Sequence, residues 1–268
     1  MPVIITIGNQ KGGVGKTTTA INLSHALGRE GYHVLVVDAD TQGNSTSILL
    51  KDISLREKFS LVKALNTPPE EANLSSMACD TTFDKVKIIP NTAQSMLWER
   101  TSANTPDAVL AFLRLIKYDK GLEKYNFVLL DTPPSIGTMV NNSLMISNYA
   151  LVPLPTSDQF ALDGLAIFLR LLQNIRSQNN TLKLLGVVLT KHDNRDDLCK
   201  MNKEKILNFF SKKGIHVLNS VIRYNGDINY SHIKRKSIFE LDQSNISVTD
   251  YTDLAKEVIE IITDEESR

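Results

Sequence analysis

One glycine-rich segment constrains this chain more than any other feature: residues 8–18 read Gly-Asn-Gln-Lys-Gly-Gly-Val-Gly-Lys-Thr-Thr. The apolar run 3–7 precedes this segment, and a helical pattern over 16–30 follows it. Because glycines accept backbone angles that other residues resist, consecutive amides can turn inward around a phosphate at the start of a helix. The segment therefore predicts a nucleotide-phosphate loop in which Lys16 neutralises phosphate charge and the Thr17 hydroxyl ligates Mg²⁺.

Short β-branched and leucine-rich runs alternate with longer helical patterns along the chain. The predicted strands are 3–7, 33–38, 85–89, 127–131, 151–154, 185–190 and 217–222. Several of them are apolar at successive positions, as in a parallel sheet that helices cover on both faces. The predicted helices include 16–30, 196–213 and 249–262, and glycines at 31 and 214 follow the first two. This alternation predicts an α/β fold with a doubly wound, mostly parallel sheet flanked by helices. Together with the glycine-rich segment, it predicts a fold of the P-loop NTPase type.

Length and composition favour one domain over residues 1–268, because 42% hydrophobic residues suffice for a single large core. Residues 52–84 show little periodicity, and we interpret them as a helical insertion with loops inside that domain. No apolar run approaches the roughly 20 residues that span a bilayer, and the first residues do not read as a signal peptide. The two cysteines show no partnering pattern and read as reduced thiols, so we expect a cytoplasmic protein.

Two further segments place carboxylates directly after predicted strands. One reads Asp-Ala-Asp-Thr-Gln-Gly-Asn over 38–44, and the other reads Asp-Thr-Pro-Pro-Ser over 131–135. Ligands of open α/β sheets bind at the carboxyl ends of the strands, so these carboxylates should lie beside the phosphate loop. Asp131, after an apolar strand, has the Walker B arrangement and can reach Mg²⁺ through water. Asp40 has a second interpretation as a capping residue, because Asp often caps turns and helices.

The three segments together resemble those of the ParA/Soj partition ATPases, which belong to the ParA/MinD superfamily and carry a deviant Walker A loop. The form Lys-Gly-Gly-Val-Gly-Lys-Thr over 11–17 carries the resemblance, with Gln10 at the position where the strict loop pattern has glycine. Residues 155–165, residues 185–190, and Asp193 with Arg195 also look like the corresponding parts of Soj-like proteins.

The resemblance implies an ATPase that uses ATP and Mg²⁺. In that family the first loop lysine, here Lys11, crosses a dimer interface to the partner's nucleotide, and we see no role for it inside its own subunit. A solvated loop lysine is the alternative for Lys11. By the same resemblance, Asp38 helps to hold the Mg²⁺ water shell and Asp40 orients the attacking water. The implied site comprises catalytic Lys11, Lys16 and Asp40; nucleotide-binding Lys11, Gly12, Gly13, Val14, Gly15, Lys16, Thr17, Thr18 and Asn225; and metal-binding Thr17, Asp38 and Asp131.

One region departs from the Soj-like pattern. Where those proteins have Ile-Pro-Arg-Asn-Val-Arg, residues 222–227 read Ile-Arg-Tyr-Asn-Gly-Asp. In the family the arginines of this stretch contribute to DNA binding, and the proline lies near the adenine of the bound nucleotide. Because thirty basic and thirty acidic residues give zero net charge, DNA binding here would need a local patch. The implied DNA-binding residues are Arg195, Arg223, Lys234, Arg235 and Lys236, and the alternative for the run 234–236 is an ordinary solvated surface.

The resemblance implies a partition motor that forms a homodimer on ATP, binds DNA without sequence preference and so associates with the nucleoid. A ParB-like centromere-binding partner would stimulate its hydrolysis. A membrane-bound MinD-like regulator needs a basic amphipathic C-terminal helix, whereas residues 263–268 are mainly acidic, so we expect no membrane partner. An iron–sulfur relative would need interface cysteines, but Cys79 falls in the irregular segment and Cys199 in a predicted surface helix. Other cargo-positioning roles within the superfamily stay open.

Overall fold

The computed structural model describes residues 1–68, 71, 73–102, 105–158 and 161–267. Parts of three predicted segments lie outside these ranges: positions 69, 70 and 72 of the insertion, Gln159 and Phe160 of the segment 155–165, and the terminal Arg268. The described strands are β1 (Val3–Ile7), β2 (Val34–Asp38), β3 (Cys79–Asp80), β4 (Val86–Ile89), β5 (Phe127–Asp131), β6 (Tyr149–Pro155), β7 (Lys183–His192) and β8 (Val217–Arg223).

Helices connect these strands. They are α1 (Lys16–Arg29), α2 (Asn44–Leu49), α3 (Leu61–Asn66), α4 (Gln94–Ser102), α5 (Ala111–Ile116), α6 (Thr138–Ile146), α7 (Ala161–Arg176), α8 (Asp197–Ser211), α9 (Gly226–Ile233), α10 (Ile238–Leu241) and α11 (Ile246–Glu266). The predicted glycine stop after α1 is confirmed, since Gly31 has φ +102° immediately after the cap residue Glu30.

The strands form one sheet in the order β3-β4-β2-β5-β1-β6-β7-β8. All pairs are parallel except β3 with β4, so the predicted doubly wound, mostly parallel sheet is confirmed. The seven predicted strands are present, although β6 and β7 each begin two residues earlier than predicted. The two-residue edge strand β3 was not predicted; it lies within residues 52–84, which we interpreted as a helical insertion with loops and which also contain helix α3.

Helices cover both faces of the sheet, which explains the continuous apolar strands. Along β2, Val34 and Val36 pack into a buried cluster with α1 and α11, whereas Leu35 and Val37 pack on the opposite face with α5 and α6. A third cluster joins β6 and β7 to α7 and α8. Most of α8 is exposed, as expected for the predicted surface helix, and Cys199 lies on its buried face.

Register brings the functional segments to one edge of the sheet. In the parallel pairs, Asp131 at the end of β5 lies level with both Ile7 at the end of β1 and Asp38 at the end of β2. The phosphate loop and both carboxylate segments therefore leave the sheet side by side at its carboxyl edge, where ligands of open α/β sheets bind.

Candidate nucleotide-binding site

The glycine-rich loop lies between β1 and α1 in a shape that needs glycine. Gly13 and Gly15 have φ values of +73° and +99°, in the left-handed region where a side chain would be strained. Gly15 is also the residue that precedes the first turn of α1. The unpaired amides at this helix start are the groups that bind phosphate in such loops.

Lys16 is only 6% exposed. Its Nζ donates a hydrogen bond to the carbonyl oxygen of Lys11 at 3.0 Å, so the side chain spans the loop. Burial lowers the pKa of Lys16, while the nearby carboxylates of Asp131 and Asp40 oppose that shift. The loop therefore holds a desolvated cation that an anionic phosphate would stabilise.

Asp131 has one carboxylate oxygen in use and one without a partner. Its Oδ2 accepts a hydrogen bond from Ser45 Oγ at 2.7 Å, and its Oδ1 is buried with no hydrogen bond among the described residues. Burial raises the pKa of Asp131 to about 6, and the hydroxyls of Ser45 and Thr17 oppose the rise. A buried carboxylate oxygen beside a threonine hydroxyl fits the oxygen ligands that Mg²⁺ prefers. Thr17 and Asp131 would hold Mg²⁺ here, and the ion would neutralise phosphate charge.

Both carboxylate oxygens of Asp38 accept hydrogen bonds from within the protein. Its Oδ2 accepts hydrogen bonds from the backbone nitrogen and the Oγ1 of Thr46 at 2.7 and 2.6 Å. Its Oδ1 accepts a hydrogen bond from the Asp40 nitrogen at 3.2 Å. Burial, together with the neighbouring charge of Asp131, raises the pKa of Asp38 to about 8. Asp38 thus fixes the segment that carries Asp40, while its part in a Mg²⁺ water shell stays a prediction.

Asp40 both shapes a turn and faces the cavity. Its Oδ1 accepts a hydrogen bond from the Gln42 nitrogen at 2.9 Å, which is the capping role that the sequence left open. The same residue also lines the cavity beside the phosphate loop. Its position is therefore compatible with the predicted orientation of an attacking water.

A cavity of about 610 Å³ unites most of the predicted site. On one side the loop contributes Gly12, Gly13, Gly15, Lys16, Thr17 and Thr18, and on the other the β8–α9 segment contributes residues that include Asn225. Val14 and Lys11 are not part of this wall. Instead, the Val14 side chain is buried, and its carbonyl oxygen accepts a hydrogen bond from Thr190 Oγ1 at 2.9 Å, which ties the loop to β7.

Lys11 has a partner in its own subunit, contrary to our expectation. Its ammonium forms an ion pair with the carboxylate of Asp158, in the loop after β6. The two side chains are 35% and 26% exposed, so the pair lies at the protein surface. The partner was missed because 147 positions separate the two residues and only the fold brings β6 beside β1.

Two of the three arginines that were predicted to bind DNA form ion pairs within the protein. The Nε of Arg223 donates to Asp250 Oδ1 at 2.9 Å, and Asp250 is only 4% exposed on α11. Arg195 is 86% exposed and forms a two-point contact with Asp193, at 3.0 and 2.9 Å. The structure thus gives Arg223 a buried counter-charge in the cavity wall, and its role as a DNA contact stays a prediction.

Asn225 begins α9. Its Oδ1 accepts a hydrogen bond from the Asp227 nitrogen at 2.9 Å, and its Nδ2 donates to Asn245 Oδ1 at 2.6 Å. Ser45 and Thr46, which hold Asp131 and Asp38, were not predicted. The available signal was two hydroxyl residues at a helix start directly after the second carboxylate motif.

Comparison with known proteins decides the family. Residues 3–184 match the AAA_31 family, described as an AAA domain. The chain is 33% identical over 259 residues to the sporulation initiation inhibitor protein Soj of Bacillus subtilis, an alignment that covers 96% of this chain and 98% of that protein. It is 32% identical over 258 residues to the chromosome partitioning protein ParA of Caulobacter vibrioides, covering 96% and 93% of the two chains.

This chain belongs to the ParA/Soj family of partition ATPases. The fold of this ParA/Soj protein is similar to that of cobyrinic acid a,c-diamide synthase from Mycobacterium smegmatis, solved with ADP and magnesium. The TM-score is 0.77 at 25% identity, over 96% of this chain and 93% of that one. The predictions of ATPase activity, of ATP as the substrate and of Mg²⁺ as the cofactor are confirmed at the level of the family.

Proposed function

We propose that this ParA/Soj ATPase is a DNA-partition motor. ATP closes a homodimer, the dimer binds DNA without sequence preference, and hydrolysis stimulated by a ParB-like partner releases it. The observation that carries the proposal is the position of Lys11. It belongs to the phosphate loop, yet it lies outside the wall of its own cavity and forms a surface ion pair with Asp158.

The ion pair between Lys11 and Asp158 is compatible with a role across an interface. Exposed ion pairs typically contribute about 1 kcal/mol or less, because solvent screens them. The phosphates of a nucleotide on a second subunit carry several negative charges and could outcompete one carboxylate for this lysine. In a twofold dimer that exchange would occur twice, once for each Lys11.

Lys11→Ala is expected to bind ATP but not to dimerise on it. Two lost charge-assisted contacts at roughly 1.5–3 kcal/mol each would weaken the dimer by about 10²- to 10⁴-fold. Light scattering with Mg²⁺ and ATP measures the oligomeric state, and nucleotide titration measures binding. Lys51→Ala, at an exposed lysine of another loop, is the matched control and should dimerise normally. Normal ATP-dependent dimerisation of Lys11→Ala would contradict the proposed role of Lys11 across the dimer interface.

The DNA surface that we propose centres on the run 234–236, with Arg195 as a further contact. All three residues of the run are exposed and follow directly after α9. The Lys234 ammonium lies 5.3 Å from the Tyr230 ring centroid, and Arg235 has φ +53°. Pairing two such patches in a dimer doubles the phosphate contacts of a chain with zero net charge.

Removing the charges of residues 234–236 is expected to weaken binding to every DNA sequence alike. The variant carries Lys234→Gln, Arg235→Asn and Lys236→Gln, with asparagine at 235 because it tolerates positive φ. The slope of log K against log salt should fall in magnitude by about 0.9 for each lost phosphate contact. Filter binding of random duplex DNA at several salt concentrations, with ATP and Mg²⁺ present, measures both quantities.

The control for this surface removes three exposed lysines from the segment before β5: Lys117→Gln, Lys120→Gln and Lys124→Gln. DNA affinity should not change in the control, and ATP hydrolysis should stay near wild type in both proteins. No DNA retention by the wild-type protein at concentrations that support its ATP-dependent dimer would mean that this motor carries another cargo.

The MinD-like alternative finds little support in α11. A membrane-surface helix needs a free apolar face, whereas the apolar residues Leu254, Val258 and Ile262 of α11 are buried in the main core cluster. Among the described residues, none of the helices combines the length and the apolar character that a membrane crossing requires.

A further inference from the structure

The cavity wall that faces the phosphate loop contains polar groups with no assigned role. α9 lines the cavity with Ile228, Asn229 and His232, and Tyr224 lies just before the helix in the same wall. None of Ile228, Asn229, His232 and Tyr224 belongs to the three phosphate-site motifs. This part of the wall therefore lies where the rest of a bound nucleotide, beyond its phosphates, would be.

His232 has a buried nitrogen without a partner. Its Nε2 makes no hydrogen bond among the described residues, although the atom is buried. A polar atom left in this state destabilises the folded protein, because nothing replaces the hydrogen bond that it made with water. Burial lowers the pKa of His232, so the ring is neutral near pH 7. A neutral imidazole offers one donor and one acceptor, so a ligand group that reached the buried nitrogen on binding would satisfy it.

Asn229 precedes His232 by three positions, which places both side chains on neighbouring positions of one helix face. Asn229 is exposed to the cavity, and its amide makes no hydrogen bond with the described residues. An asparagine amide can donate and accept at once, which matches the donor and acceptor pattern on the edge of adenine. Ile228 and Tyr224 add apolar surface, as binding sites for flat ring systems require.

We propose that His232 and Asn229 hydrogen-bond the edge of the nucleobase of the bound nucleotide and set the preference of this enzyme for adenine. The proposal rests on nucleotide binding at the site described above and is independent of dimerisation and of DNA. It also supplies a base-recognition element in this chain, where residues 223–227 depart from the Soj-like pattern.

The test measures the binding of diphosphates, because ATP-dependent dimerisation then does not contribute to the measured affinity. Calorimetric titrations with ADP, GDP and pyrophosphate, each with Mg²⁺, are made on the wild type, His232→Phe, His232→Gln and Asn229→Ala. Pyrophosphate reports the phosphate contacts without a base. His232→Phe keeps a ring of similar size, and His232→Gln keeps a hydrogen-bonding group near the position of Nε2. His33→Gln, at an exposed histidine before β2, is the control.

We expect His232→Phe and Asn229→Ala each to lower ADP affinity by about three- to tenfold, as loss of one neutral hydrogen bond implies. The ratio of ADP to GDP affinity should fall, pyrophosphate affinity should not change, and His232→Gln should recover part of the loss. Unchanged ADP affinity in the combined His232→Phe and Asn229→Ala variant would overturn the proposal. Equal losses for ADP and pyrophosphate would also overturn it, because they would indicate a structural role. Failure of the wild type to bind DNA would instead overturn only the partition proposal.

Discussion

Asp40→Asn and Asp40→Ala are expected to bind ATP near wild-type affinity and to hydrolyse it about 10²- to 10⁴-fold more slowly, the usual range for a lost catalytic carboxylate. A group that orients the attacking water acts on the chemical step, so its loss lowers turnover and leaves binding largely intact. The ATP-bound dimer should then accumulate. Asparagine retains an oxygen that can accept the hydrogen bond from the Gln42 nitrogen. Asp40→Asn therefore removes the negative charge but keeps the hydrogen bond that shapes the turn.

Single-turnover phosphate release measures the chemical step, and titration with ATP measures binding. Under the proposed function, in which a partner accelerates hydrolysis, release should be slow even in the wild type. Asp264→Asn, at an exposed position near the end of α11, is the control and should change neither quantity. Wild-type turnover in both Asp40 variants would move the catalytic role to Asp38 or Asp131.

Lys16→Ala should lose tight nucleotide binding, in contrast to Lys11→Ala. The buried ammonium directly opposes the phosphate charge, and charge-assisted bonds of this kind contribute about 1.5–3 kcal/mol each, so we expect affinity to fall by at least about 100-fold. Titration with ATP and with ADP should show similar losses, because both nucleotides carry the β-phosphate that this lysine contacts in such loops.

The folded state of Lys16→Ala should survive the substitution. Removing a charge whose burial is unfavourable costs little stability, so the thermal midpoint without nucleotide should be equal to or higher than that of the wild type. The stabilisation that ATP gives the wild type should be absent, since ligand stabilisation depends on affinity. Near-normal ATP affinity of Lys16→Ala would contradict this prediction and would show that the backbone amides of the loop bind ATP tightly without the Lys16 ammonium.

The geometry of the glycine-rich loop was predictable because it depends on residues close together in the chain. A strand, a loop with two left-handed glycines and a helix start follow one another within residues 3–29, so spacing alone indicated the geometry. Apolar runs buried on both sheet faces likewise predicted seven of the eight described strands. The strand β3 was missed because two residues carry no periodicity, and it forms only by pairing with β4.

The sequence by itself determined the fold class, the family resemblance and the shape of the glycine-rich loop, because each depends on neighbours along the chain. Only the tertiary structure decided which distant charges meet. It paired Lys11 with Asp158 and Arg223 with Asp250, and it turned His232 toward the same cavity as Lys16. These outcomes depend on strand order and register at the carboxyl edge of the sheet, which no local pattern encodes.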